Sequence, residues 1–97
     1  MSQRQIRWTR RALQRLDEIG SYIAKDNPGA AARVVARIVL RVESLAARPE
    51  MGRPGRVTGT RELVLADVPY IVPYRLTQSG IEVLTVMHTA QKWPDKL

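Results

Sequence analysis

The hydrophobic period of this chain changes once, and that change constrains the fold more than any other feature. Up to about residue 47, apolar residues recur every three or four positions. Beyond residue 60 they come in short runs rich in β-branched and aromatic side chains. The first pattern buries a stripe of a helix, the second a face of a strand. A short alternating segment, Arg4–Trp8, precedes both and predicts a strand with Ile6 and Trp8 on one face.

From Thr9 to Lys25 the residues Ala12, Leu13, Leu16, Ile19, Tyr22 and Ile23 predict a helix with one buried stripe, capped by Thr9. Gly20 weakens it or lets another element approach closely. Asp26-Asn27-Pro28 is a boundary, because Asn caps well and Pro suits the first helical position. A second helix, Pro28 to Ala47, is predicted to bury Ala31, Val34, Val35, Ile38, Val42 and Leu45. So short a connection makes the helices an antiparallel pair. Residues 48–59 hold two Pro and three Gly and read as a loop. Three strands follow, 60–66, 70–77 and 81–88, separated by turns and forming a meander. Pro73 cannot donate to a ladder and predicts a bulge or an unpaired stretch. The expectation is an α+β domain of order β-α-α-β-β-β, with a helical hairpin packed on one face of a small antiparallel-rich sheet.

At 97 residues the chain is one domain, 1–97. It has no Cys, which excludes disulfides, a thiol nucleophile and thiolate metal sites, and its one His cannot build a metal cage. No metal and no cofactor are expected. The opening MSQRQIRW has no apolar signal-like run, and no stretch approaches the roughly 20 apolar residues of a membrane span, so a cytoplasmic protein is expected. Sixteen basic residues against nine acidic give +7, and 13 of the basic ones are Arg. That balance predicts attraction to polyanions through forked contacts, although a compositional preference for Arg also fits.

Three constellations stand out. Arg33, Arg37 and Arg41 recur at four-residue steps along the second helix. They form either a strip for a carboxylate-rich partner or a solvated face whose long stems cover apolar surface. Arg48, Arg53, Arg56 and Arg61 cluster around Gly52-Arg53-Pro54-Gly55, as phosphate contacts or as ordinary loop charges. Tyr70, Tyr74, Arg75, His88, Gln91 and Trp93 form a polar and aromatic set. In a ribonuclease, His88 would be acid or base and Arg61 or Arg75 the cation, while an aromatic ring stacks a base. In the other reading the rings pack and His88 bonds a loop. Convergence of Arg56, Arg61, Arg75 and His88 on one open face favours the nuclease; dispersion favours a protein that acts by binding alone.

Several blocks then carry a resemblance. They are Tyr22-Ile23-Ala24-Lys25-Asp26-Asn27-Pro28, Gly52-Arg53-Pro54-Gly55-Arg56-Val57, Gly59-Thr60-Arg61-Glu62-Leu63-Val64, Pro69-Tyr70-Ile71-Val72-Pro73-Tyr74-Arg75, and Val86-Met87-His88 with Trp93-Pro94. Across almost the whole chain the sequence resembles the RelE/ParE superfamily of bacterial toxins, the toxin halves of type II toxin–antitoxin modules. The resemblance implies a small α+β toxin silenced by an antitoxin with a DNA-binding N-terminal part and an acidic, amphipathic C-terminal part. Arg33, Arg37 and Arg41 are the residues expected to meet that acidic part. RelE-like members cut mRNA in the ribosomal A site without a metal; ParE-like members poison DNA gyrase. Glu62, Val64 and Ile71 stand where RelE-like enzymes tend to carry Lys or Arg, which favours the gyrase reading. His88 matches a C-terminal His used as acid or base by some ribosome-dependent members, and Arg56, Arg61 and Arg75 could replace the missing cations, which keeps mRNA cleavage as the alternative. The residues expected to meet the target or nucleic acid are Arg53, Arg56, Arg61, Tyr70, Gln91 and Trp93.

Overall fold

The structure, a computed structural model, describes residues 4–94 and Leu97. Strand β1 is Gln5–Trp8, helix α1 is Arg10–Ala24 and helix α2 is Pro28–Glu43. A 3-10 turn, Ser44–Ala46, continues α2. Five strands follow: β2 Arg53–Pro54, β3 Arg61–Val64, β4 Tyr70–Leu76, β5 Gly80–Val83 and β6 Met87–His88.

Both helix starts follow from their caps. The Thr9 hydroxyl accepts from the Ala12 N–H and donates to the Leu84 carbonyl, so the cap also ties α1 to the sheet. Asn27 accepts from the Ala30 N–H, with Pro28 at the first helical position. Helix α2 stops before the expected Ala47. The Ser44 hydroxyl bonds back to the Arg41 carbonyl, and the last turn tightens to 3-10 geometry. A Cβ on Gly20 would lie 3.1 Å from Val35, so the glycine is where the two helices approach closely.

The sheet order is β1-β5-β4-β3-β2, with β6 beside β4. Among the described residues only the β1–β5 pairing is parallel. The helical hairpin covers one face. Ile38, Val42 and Leu45 and the α1 residues Ala12 and Ile19 form one core with Leu63, Val72, Tyr74, Ile81 and Val83 of the sheet. Ile6 and Trp8 pack against it from β1 on the same face.

Four expectations change. Leu13 and Tyr22, assigned to the buried stripe of α1, are exposed. That helix is an outer element touching α2 on one side and the sheet beneath, so its apolar arc is wider than the arc it can bury. Val34 and Val35 are only half-buried, while Ala31, Ile38 and Val42 carry the buried stripe of α2. The 48–59 loop contains β2, whose Arg53 and Pro54 pair with Glu62 and Arg61. The strand expected at 81–88 is two strands, because Tyr74 is opposite Val83 while Ile71 is opposite Met87. Two β4 residues therefore face three on the partner strand, which is a β-bulge opposite Pro73. The Pro73 carbonyl still accepts from the Leu84 N–H. Among the described residues no helix is long and apolar enough to cross a membrane.

Candidate functional site

Strand alternation sorts the candidate residues by face. Leu63, Val72, Tyr74 and Val83 look toward the helices, so their register partners do too. Arg61, opposite Tyr74, is on the helix side. His88, opposite Tyr70, is on that side as well. Glu62, Pro73, Arg75 and Glu82 lie on the other face.

That second face carries two Arg–Glu–Arg knots. In the first, Glu62 is 1% exposed and its Oε1 accepts from Arg53 Nε and Nη2, at 3.1 and 2.9 Å. Its Oε2 accepts from the Arg56 backbone N–H at 2.8 Å, with the Arg56 guanidinium 3.7 Å away. The same guanidinium lies over the Trp93 ring, 4.1 Å from its centre, in a cation–π contact. In the second knot, Glu82 holds Arg7 of β1 and Arg75 of β4. All four guanidinium-bearing side chains are at least half exposed while both glutamates are buried. Each knot therefore presents a net positive charge on an immobilised base, with the buried carboxylate compensated by charge-assisted bonds.

Arg61 is spent differently. Its guanidinium donates to the Gly52 and Glu50 carbonyls and braces the turn before β2. Tyr74, its register partner, bridges the same turn, accepting from the Gly52 N–H and donating to the Pro49 carbonyl. Burial pushes the Tyr74 phenol above the usual tyrosine range, against the lowering pull of Gly52 and Arg61. Tyr70 is also raised by burial, partly offset by Arg15.

His88 sits under α1 in a hollow of about 320 Å3 with Arg15, Glu18, Ile19, Tyr22 and Tyr70. Its ring meets Tyr70 edge-on, with centroids 5.3 Å apart. Its Nδ1 accepts from the Ala90 N–H, which leaves the proton of the neutral ring on Nε2. Gln91 closes the turn by accepting from the His88 N–H and from Arg15.

Arg56 and Arg75 thus share a face but belong to different knots, and Arg61 and His88 lie on the other face. The four do not converge. Arg53, Arg56 and Trp93 are brought together, whereas Tyr70 and Gln91 gather around His88 and Arg15. On α2, Arg33 and Arg37 rim an apolar groove of about 510 Å3 with Val34, Leu40 and Val68. Arg37 also pairs with Asp67 across it, at 2.5 Å. The sequence reading overlooked Glu62 and Glu82 as organisers, and Arg7. The signal was an acidic residue inside each of two apolar strands. Among the described residues no group of three or more His, Cys, Asp or Glu is placed to hold a metal ion.

Known proteins resemble this chain over most of its length. The family model described as "ParE toxin of type II toxin-antitoxin system, parDE" matches residues 6–93. A protein of Sinorhizobium fredii named "Putative toxin Y4kP" is 64% identical over 97 residues, covering all of both chains. "Toxin RelE2" of Caulobacter vibrioides is 37% identical over 87 residues, covering 90% of this chain and 97% of that protein. A solved structure titled "Chromosomal ParDE TA system from P. aeruginosa" superposes with a TM-score of 0.80 at 32% identity, covering 89% of this chain and 96% of that one. With 88 consecutive positions matched by one family model, and a β-α-α-β order with a cationic second face to go with them, this chain belongs to the ParE toxin family of type II toxin–antitoxin systems.

Proposed function

We propose that this toxin arrests growth by acting on DNA gyrase, and that a cognate antitoxin keeps it silent. The dispersal of Arg56, Arg61, Arg75 and His88 carries the first part. Metal-free cleavage of RNA needs an acid or base and a cation within reach of one phosphate. Here His88 and Arg61 have commitments on the helix side of the sheet, while Arg56 and Arg75 are tied to glutamates on the other. A toxin that works by binding needs no such convergence. Its target contacts fall to the exposed Arg53 and Arg56 beside Trp93.

The antitoxin reading is supported by α2. Its groove has an apolar floor, with Leu40 60% exposed, and a cationic rim of Arg33 and Arg37. Arg41 follows one turn later. An amphipathic acidic segment would cover the floor with its apolar face and displace Asp67 from Arg37 with its own carboxylates. The partner is taken to have a DNA-binding N-terminal part and this acidic part at its C-terminus.

The test is DNA supercoiling by purified gyrase with added toxin. Inhibition with build-up of cleaved DNA complexes is expected, and addition of the antitoxin should reverse it. Unimpaired supercoiling at high toxin concentration, together with A-site cuts on primer extension in a translating extract, would replace this reading with ribosome-dependent mRNA cleavage.

A further inference from the structure

The start of α1 is electrostatically unfavourable. Its first turn holds Arg10 and Arg11 and no acidic residue, although the positive end of a helix favours carboxylates by about 0.3–1 kcal/mol each. Among the described residues neither guanidinium is in an ion pair, while Arg7, Arg15, Arg37, Arg53, Arg56 and Arg75 all are. Arg11 instead lines an open hollow of about 530 Å3, together with Met87, Gln91, Lys92, Trp93 and Pro94. A second cation, Lys92, lines the same hollow. The Trp93 and Pro94 side chains form the apolar part of the lining, and Met87 lies buried behind them. Gln91 uses its amide oxygen for His88 and Arg15, and its amide N–H donors have no partner among the described residues. The Trp93 Nε1 is buried and also without a partner among them. The Arg56 guanidinium over the Trp93 ring gives that side chain a fixed neighbour.

We propose that this hollow binds one nucleotide of a single-stranded nucleic acid, its phosphate between Arg11 and Lys92 and its base against Trp93. The two cations supply the positive field that a phosphate needs. The indole supplies a stacking surface, and the Gln91 amide can donate to a base edge. An acidic peptide would use the cations and leave the apolar wall unpaired, which sets this site apart from the groove on α2. A duplex keeps its bases stacked on one another and out of reach of Trp93. The site does not depend on whether gyrase or the ribosome is the target.

The test is fluorescence anisotropy of a labelled single-stranded oligothymidylate titrated with the folded toxin at several salt concentrations. Arg11→Ala and Lys92→Ala should each weaken binding by about ten-fold or more, as loss of a charge-assisted contact does. Each should also flatten the slope of log affinity against log salt by about one or slightly less. Lys25→Ala, which removes one positive charge at the opposite end of α1, should leave affinity within about two-fold, a change worth only a few tenths of a kcal/mol. Trp93→Phe should retain the fold and part of the affinity, with circular dichroism checking the fold. The site is refuted if the Arg11 and Lys92 variants bind like the parent. It is equally refuted if the Lys25 control loses as much, or if duplex DNA or an oligoglutamate competes as well as the single strand.

Discussion

Glu62 and Arg53 are register partners on neighbouring strands, and one oxygen of the buried Glu62 carboxylate takes two N–H bonds from the half-exposed Arg53. This pair holds a two-residue edge strand to the sheet where the sequence itself, Gly52-Arg53-Pro54-Gly55, argues against a strand. The other carboxylate oxygen captures the Arg56 backbone, so a single acid organises the whole turn.

Replacing Glu62 should therefore cost more than replacing either arginine. Glu62→Ala leaves a buried gap and frees the β2 segment, and we expect it to lower stability by about 2–4 kcal/mol. Arg53→Ala strips both donors from Oε1 but leaves Oε2 bonded to the Arg56 N–H with the Arg56 guanidinium nearby, and should cost about 1–3 kcal/mol. Denaturant unfolding of both variants checks the order, and a loss for Glu62→Ala no larger than for Arg53→Ala would contradict it.

Tyr74 gives a prediction in alkaline solution. Its phenol is raised in the folded state by burial, as is that of Tyr70. Between the unfolded value near 10 and the folded value the native state binds more protons than the unfolded one. Stability is thus fully present below about pH 10 and is lost as pH rises through the folded values. Tyr74→Phe should remove about 1.4 kcal/mol per pH unit from the slope of that loss. At neutral pH the same variant should be less stable by about 1–3 kcal/mol, because the Gly52 N–H and the Pro49 carbonyl lose their shared partner. Opposite effects in the two pH ranges, read from urea midpoints, distinguish this from general weakening.

Gly80 sits where the parallel strand β1 crosses closest to β5. A Cβ there would run into the Gln5 carbonyl, which is backbone and cannot swing aside. Gly80→Ala should displace β1 and cost about 1–3 kcal/mol. Amide exchange should accelerate first at Ile6 to Trp8; unchanged exchange there would show that β1 keeps its place and would contradict the prediction.

Periodicity made the architecture legible, since a helix pair and a β meander differ in period over long stretches. The caps at Thr9 and Asn27 were legible because each satisfies a helix end locally. The bulge at Pro73 followed from its missing donor. What stayed hidden depends on partners far away in sequence. Strand β2 exists through Glu62, and Glu82 joins Arg7 to Arg75 across 75 and seven positions. Alternation along the last segment placed His88 on a strand, but which face it takes is set by the one-residue bulge upstream. The candidate side chains could therefore be singled out residue by residue, while their division between two faces could not.

The α2 ladder should control partner capture. Changing Arg33, Arg37 and Arg41 to Glu reverses the rim of the groove and sets Glu at 37 against Asp67. Association with the acidic part of the antitoxin should slow by at least about ten-fold and lose most of its salt dependence. Stopped-flow or surface-based kinetics measure both. Unaltered rates would mean that the ladder is a solvated face and that the antitoxin seats elsewhere.

His88 and Arg61 separate the two modes of toxicity most directly. If the protein cuts mRNA, His88→Ala and Arg61→Ala should each lower cutting by about 100-fold or more, since each would remove a proton-transfer or charge-stabilising group. In the gyrase reading neither residue meets a reacting phosphate. His88→Ala then loses only the contact with Tyr70 and the Ala90 N–H bond, and growth arrest on induction without antitoxin should persist. Arg61→Ala should loosen the 50–52 turn and lower stability, with toxicity falling only as far as folded protein does. Measuring soluble protein beside growth keeps the two effects apart. Abolished arrest with undiminished folded His88→Ala protein would move the toxin to the nuclease branch, because no packing role of that ring predicts it.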